Sequence, residues 1–224
     1  MVCKWADDSQ RFILENFDII SNSPSEIYHH ALPFSPSSSW LHKCYSPELF
    51  QCVKVVKGLQ VKWGTCSRTV SLGCGPVTLT CWKDLVAVGF ESGNITILDG
   101  ITGICTSALS SHTQDVNSLA FSLDGTFLVS GSDDKTVILW DIQTGGVIKT
   151  FHGHIRIVWS VSISPDCTTI ASGSSDHTIH LWDVQRGECH CIIHQHNNSV
   201  FSVSFSPTNS QLLISASADD TVRQ

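Results

Sequence analysis

Methionine occurs once and tyrosine twice in 224 residues, and charged side chains make up only 15% of the chain. So little charge argues against a solvent-laced helical protein, while the abundance of Val, Leu, Ile, Ser and Thr favours strands. Basic residues are the scarcer sign, 13 Lys and Arg against 20 Asp and Glu, for a net charge of −7. They form no run, which excludes the clustered cations that a phosphate backbone requires, so no nucleic-acid partner is expected. No apolar stretch approaches membrane-spanning length, so no membrane partner is expected. Asp7, Asp8, Arg11 and Glu15 are out of place in a secretory leader. Motifs for nucleotide binding or metalloproteolysis (GxxxxGK[ST], GxGxxG, HExxH) are missing, as is the GxSxG elbow of hydrolases. Cysteine is plentiful, with ten residues. Without a leader they read as free thiols in a reducing, cytoplasmic setting.

What the chain does have is a repeat. "SGSDDKTVILWD" at 130–141 returns as "SGSSDHTIHLWD" at 172–183, which sets Trp140 and Trp182 42 positions apart. A third copy, "SASADDTVRQ", begins at Ser215, and by register Gln224 matches Leu181. Upstream, "VNSLAFS", "VWSVSIS" and "VFSVSFS" keep the same phase, and "GFESGNITILDGITG" at 89–103 is a fainter copy with Leu98 in place of the Trp. Each unit reads as four short strands, a to d, separated by Gly, Asp and Ser turns. Strand a alternates large with small residues, as expected for a sheet packed on both faces.

Four strands per unit of this length, ending in Trp-Asp, resemble the WD-repeat β-propeller. The resemblance covers residues from about 75 to 224. It implies an all-β fold with a small helical N-terminal segment: a partial WD40 propeller of about three and a half blades in an open arc. The expected divisions are a helical and linker segment at 1–48, a degenerate strand or partial blade at 49–74, and repeats at 75–224. The repeats divide at 75–111 (degenerate), 112–153, 154–195 and 196–224 (truncated).

Every clear copy carries Ser, His and Asp, which invites a hydrolase reading. A residue set repeated in each blade is architecture, since a reaction needs it once. The sets are His112, Ser130, Asp134 and Trp140; His154, Ser172, Asp176 and Trp182; and His196, Ser215 and Asp219. The resemblance implies buried networks in which Asp and Ser hold the His and the His contacts the indole nitrogen. It also implies a non-catalytic, cofactor-free module whose partners are other proteins. Docking is expected on the face near the start of strand a, at Gln114, Asn117, Arg156, Trp159, Asn198 and Phe201. The alternative for Trp159 and Phe201 is packing between blades, because they share parity with Val161 and Val203.

"CHCIIHQH" at 189–196 looks like a metal cluster. The register instead assigns His196 to the next blade and places Cys189 and Cys191 on one face of strand d, with His190 on the other, so no metal is expected.

The first third does not repeat. Phe12, Ile13, Phe17 and Ile20 fit one helical face, "PFSPSSSW" at 33–40 reads as a linker, and "FQCVKVVKGL" at 50–59 fits a strand. "IYHHALPFSPSSSWLHKCY", "WGTCSRTV" and "TCWKDLVAVGFESGNITILDG" resemble the segment between ATPase and propeller in fungal NACHT–WD40 proteins, which are NLR-like and of the heterokaryon-incompatibility type. This implies a sensor or scaffold role. Two alternatives stand beside it. One is an adaptor of another pathway, such as a ubiquitin-ligase substrate receptor, against which Gln143 and Gln185 stand where an Arg or Lys is usual. The other is a truncated product without independent function, whose unpaired blade edges would self-associate.

Overall fold

The structure is a computed structural model and describes residues 75–224, together with 70–73, Phe12, Ser39 and Lys43. The helix, linker and strand expected before residue 70 lie outside the described residues. The chain divides into two compact units, Met1–Ser71 and Leu72–Gln224, and the sheets belong to the second. Among the described residues no helix is long and apolar enough to cross a membrane.

Among the described residues, fifteen strands form four antiparallel meanders. The first contains β1 (Pro76–Trp82), β2 (Leu85–Phe90), β3 (Asn94–Asp99) and β4 (Cys105–Ser110). The second contains β5 (Val116–Phe121), β6 (Phe127–Ser132), β7 (Val137–Asp141) and β8 (Val147–Phe151). The third contains β9 (Val158–Ile163), β10 (Thr169–Ser174), β11 (Ile179–Asp183) and β12 (Cys189–Ile193). The fourth contains β13 (Val200–Phe205), β14 (Leu213–Ser217) and β15 (Val222–Arg223). Each sheet pairs strands in chain order, and the first strands β1, β5, β9 and β13 lie side by side in an open arc. The faint copy at 89–103 thus belongs to a full four-stranded sheet.

The core lies between sheets. Val129, Val137, Leu139 and Phe151 of the second sheet pack on Val158, Val161, Ile170 and Trp182 of the third. Close approach depends on small residues. A Cβ on Gly131 would come within 2.7 Å of Val158 and 2.8 Å of Val161, and one on Gly173 within 2.8 Å of Val200. Serine hydroxyls bridge where strand edges face each other: Ser118 Oγ accepts from the Val161 N–H, Ser160 Oγ from Val203, and Ser162 Oγ from Phe205, all at 3.1 Å. The small residues of strand a are therefore the hydrogen-bonding seam between blades. Gly131→Ala overpacks this seam. It is expected to lower stability by about 1–3 kcal/mol, read as a lower urea midpoint with an unchanged slope.

Candidate functional site

Three polar chains run through the sheets with the same wiring. In the second sheet, His112 Nδ1–H donates to Asp134 Oδ2 at 2.9 Å, and Ser130 Oγ–H donates to His112 Nε2 at 2.7 Å. The Trp140 indole N–H donates to Ser130 Oγ at 2.8 Å. This proton order satisfies every atom, because the carboxylate can only accept and the indole can only donate. The third sheet repeats it through Asp176, His154, Ser172 and Trp182 with distances of 2.8 Å throughout. In the fourth sheet, Asp219, His196 and Ser215 are linked at 2.9 Å each. The indole therefore bonds serine, where the sequence reading had it reach histidine. Both imidazole nitrogens are already engaged, and serine has lone pairs to spare.

Sequence reasoning missed a threonine in each network. Thr136 donates from Oγ1 and N to Asp134 Oδ1 at 2.6 and 3.0 Å. Thr178 and Thr221 do the same for Asp176 and Asp219. The other carboxylate oxygen accepts the backbone N–H of Thr113, Ile155 or Asn197. The signal was the Asp-x-Thr spacing shared by "DDKT", "SDHT" and "ADDT". Burial opposes charge on Asp134 and Asp176, but hydrogen bonds from His and Thr outweigh it and hold both carboxyls below the usual range. Asp219 is lowered chiefly by Thr221 and the Asn197 N–H.

Asp–His–Ser connectivity is that of a hydrolytic triad. Ser130 and Ser172 are fully buried and each accepts an indole N–H. A nucleophile so enclosed has no path to a substrate. Beside Ser215 and His196 lies a cleft of about 540 Å³ lined also by Ile179, Leu181, Phe205 and Leu213. By register it corresponds to the seam that Trp182 fills one sheet earlier.

The first sheet shows what replaces the network. Pairing registers set Val88 and Leu98 at the positions of Ser130 and Trp140, and the equal length of the following turn sets Ser92 at that of Asp134. Leu72 precedes Pro76 of β1 by the same spacing as His112 precedes Val116 of β5. Val88, Phe90 and Leu98 form an apolar cluster with Leu72 and Val86. The His, Ser and Trp positions are apolar together, and Ser92 at the Asp position instead accepts from Asn94 Nδ2 at 3.1 Å, so no buried polar member stands there unpaired.

His180 sits where the second sheet has Ile138. It is 4% exposed, its Nδ1 has no hydrogen-bond partner, and its ring stacks on His154 at 3.9 Å. His154, Asp176 and His180 bring donor atoms within 4.8 Å of one another. The arrangement does not suit a metal. Rings only 26° from parallel direct their in-plane lone pairs side by side, and His154 Nδ1–H is committed to Asp176.

The cysteines of "CHCIIHQH" are also separated. Cys191 pairs with Leu181 and Cys189 with Trp182, so a bulge at His190 puts the two sulfurs on opposite faces. The one-face reading assumed strict alternation, which a bulge breaks.

The expected docking residues fall into two rows. Gln114, Arg156 and Asn198 have their carbonyls held by the hydroxyls of Ser132, Ser174 and Ser217, and their side chains are exposed. Asn117, Trp159 and Phe201 each occupy a bulge at the second residue of strand a, between Val116 and Ser118, Val158 and Ser160, and Val200 and Ser202. The bulge removes them from the parity of Val161 and Val203 and turns them to the rim. Asn117 donates to Asp133 Oδ1 at 2.6 Å and to the Val158 carbonyl at 3.1 Å. Trp159 donates to Ser175 Oγ at 2.6 Å and meets Phe201 edge-on at 5.9 Å. Phe201 is 53% exposed and Ile155, beside Arg156, is 74% exposed.

The family described as WD domain, G-beta repeat matches residues 103–141, 145–183 and 187–224. The vegetative incompatibility protein HET-E-1 of Podospora anserina is 37% identical over 62% of this chain. Eukaryotic translation initiation factor 3 subunit I of Eremothecium gossypii is 32% identical over 38% of it. The human WD repeat and SOCS box-containing protein 1 is 43% identical over 28%. The chain spans 7%, 25% and 15% of these three relatives.

Proposed function

The chain belongs to the WD40, G-beta repeat family, and from that premise we propose that it is a non-catalytic protein-binding module acting through the rim around Arg156, Trp159 and Phe201. The observation that carries this reading is the repeated bulge. It fixes one side chain per blade at the rim, on a backbone pinned by serine hydroxyls, so little order is lost on binding. Two aromatic rings and an arginine at the centre of such a surface are the residue types that dominate interface energetics. The partner is a protein that offers an apolar side chain to the Trp159–Phe201 edge and an acidic group to Arg156. Similarity to the incompatibility protein supports a sensor or scaffold role within a larger signalling chain of that kind.

The test is quantitative cross-linked capture from native lysate. Phe201→Ala and Arg156→Glu are each expected to lower recovery of the specific partner at least tenfold, the loss of a single hot spot. His190→Ala, on the outer strand, leaves recovery unchanged. Equal recovery by all four proteins would place the binding surface elsewhere.

A further inference from the structure

We propose that two copies of this chain associate head to tail, β1 of one seating on the outward face of the fourth sheet of the other. The chain already makes this kind of contact three times, between successive sheets. In each, the incoming strand a contributes an apolar residue that becomes buried: Leu119 at 8% exposure, Val161 at 5% and Val203 at 4%. By pairing register the equivalent residue of β1 is Leu79, which is 71% exposed.

The receiving face is equally legible. In the third sheet it consists of Ser160, Ser162, Ala171, Gly173 and Ile179, and the last of these is 3% exposed. The corresponding residues of the fourth sheet are Ser202, Ser204, Ile214, Ala216 and Val222. Ile214 is 44% exposed and Val222 70%, and both serines are exposed. Ser202 and Ser204 hold the places from which Ser160 and Ser162 accept the N–H groups of Val203 and Phe205. Across the proposed junction they would accept those of Leu79 and Cys81. One pair of changes is mutually compensating. Ala216 stands where the other sheets have the glycine that valine crowds, and Pro76 stands in place of that valine. Proline has a single Cγ tied back to its own nitrogen, which leaves room for the alanine methyl.

This is a heterologous contact, in which two different faces meet, and it is separate from the rim around Trp159. Heterology gives a complementation test on the full chain. Sedimentation equilibrium across micromolar concentrations is expected to show wild type growing beyond one chain mass. Leu79→Glu keeps the receiving face and Val222→Glu keeps the incoming strand. Each alone is expected to stay monomeric with an unchanged melting temperature, since both positions are exposed. Mixed one to one, they are expected to form a species of two chain masses and no larger, through the one junction left intact. Ser204→Arg serves as a second receiving-face variant with the same expected behaviour. A wild type that stays monomeric throughout would overturn the proposal. So would variants that associate alone, or a mixture that remains monomeric.

Discussion

Asp176→Ala is expected to destabilise the protein by about 3–5 kcal/mol, a loss read as a fall in the urea midpoint. The carboxylate accepts four hydrogen bonds, from His154 Nδ1, the Ile155 N–H, and the N–H and hydroxyl of Thr178. Alanine strands all four donors around a histidine that is 6% exposed. A typical domain has only about 5–15 kcal/mol of stability, so this single change consumes a large share of it. Adding His154→Leu removes the most buried of the stranded donors. The double variant is therefore expected to be more stable than Asp176→Ala alone. The first sheet supports this expectation, since Leu72, Val88 and Leu98 stand together at the His, Ser and Trp positions. Equal or greater loss in the double variant would mean that packing, and not polar satisfaction, sets the stability of the site.

The second large effect is a pH dependence traced to His180. Burial, with His154 beside it and His194 nearby, lowers its pKa to about 4, and Asp176 offsets this only in part. The unfolded chain titrates this histidine near 6.5. Between those values the unfolded state binds the proton and the folded state does not. The stability His180 allows is complete above pH 6.5 and is lost as pH falls toward 4. The full difference is about 3 kcal/mol. His180→Ile restores the residue that the second sheet carries as Ile138. Its stability is expected to be flatter than wild type over this window. Asp134, Asp176 and Asp219 act at lower pH, below the ordinary carboxylate value, so the two effects separate on the pH axis. Parallel pH profiles for wild type and His180→Ile would refute the assignment.

Much of this was legible in the sequence, because the repeat is a strong signal. The repeat predicted four short strands per unit, and the second and third sheets each have four. It also identified the His, Ser and Asp that meet in three sheets. What was illegible depended on departures from regular pairing. A bulge cannot be seen in an alternating pattern, so the sequence left Trp159 and Phe201 open between a docking face and a seam, and Cys189 and Cys191 looked like neighbours on one face. The acceptor of the indole was also out of reach. Spacing shows that Trp140 and Ser130 recur together but not that their atoms lie 2.8 Å apart. His180 was hidden for a simpler reason: a histidine in a strand pattern looks exposed until its neighbours are known.

If the repeated Ser–His–Asp sets hold the blades together while binding takes place at the rim, stability and binding separate on mutation of a rim residue. The decisive measurement is urea midpoint and partner capture on the same preparations of Phe201→Ala and wild type. Phe201→Ala is expected to keep a stability within about 0.5 kcal/mol of wild type and to lose at least tenfold of the captured partner. A large loss of stability in Phe201→Ala, or full capture at an unchanged midpoint, would contradict this separation.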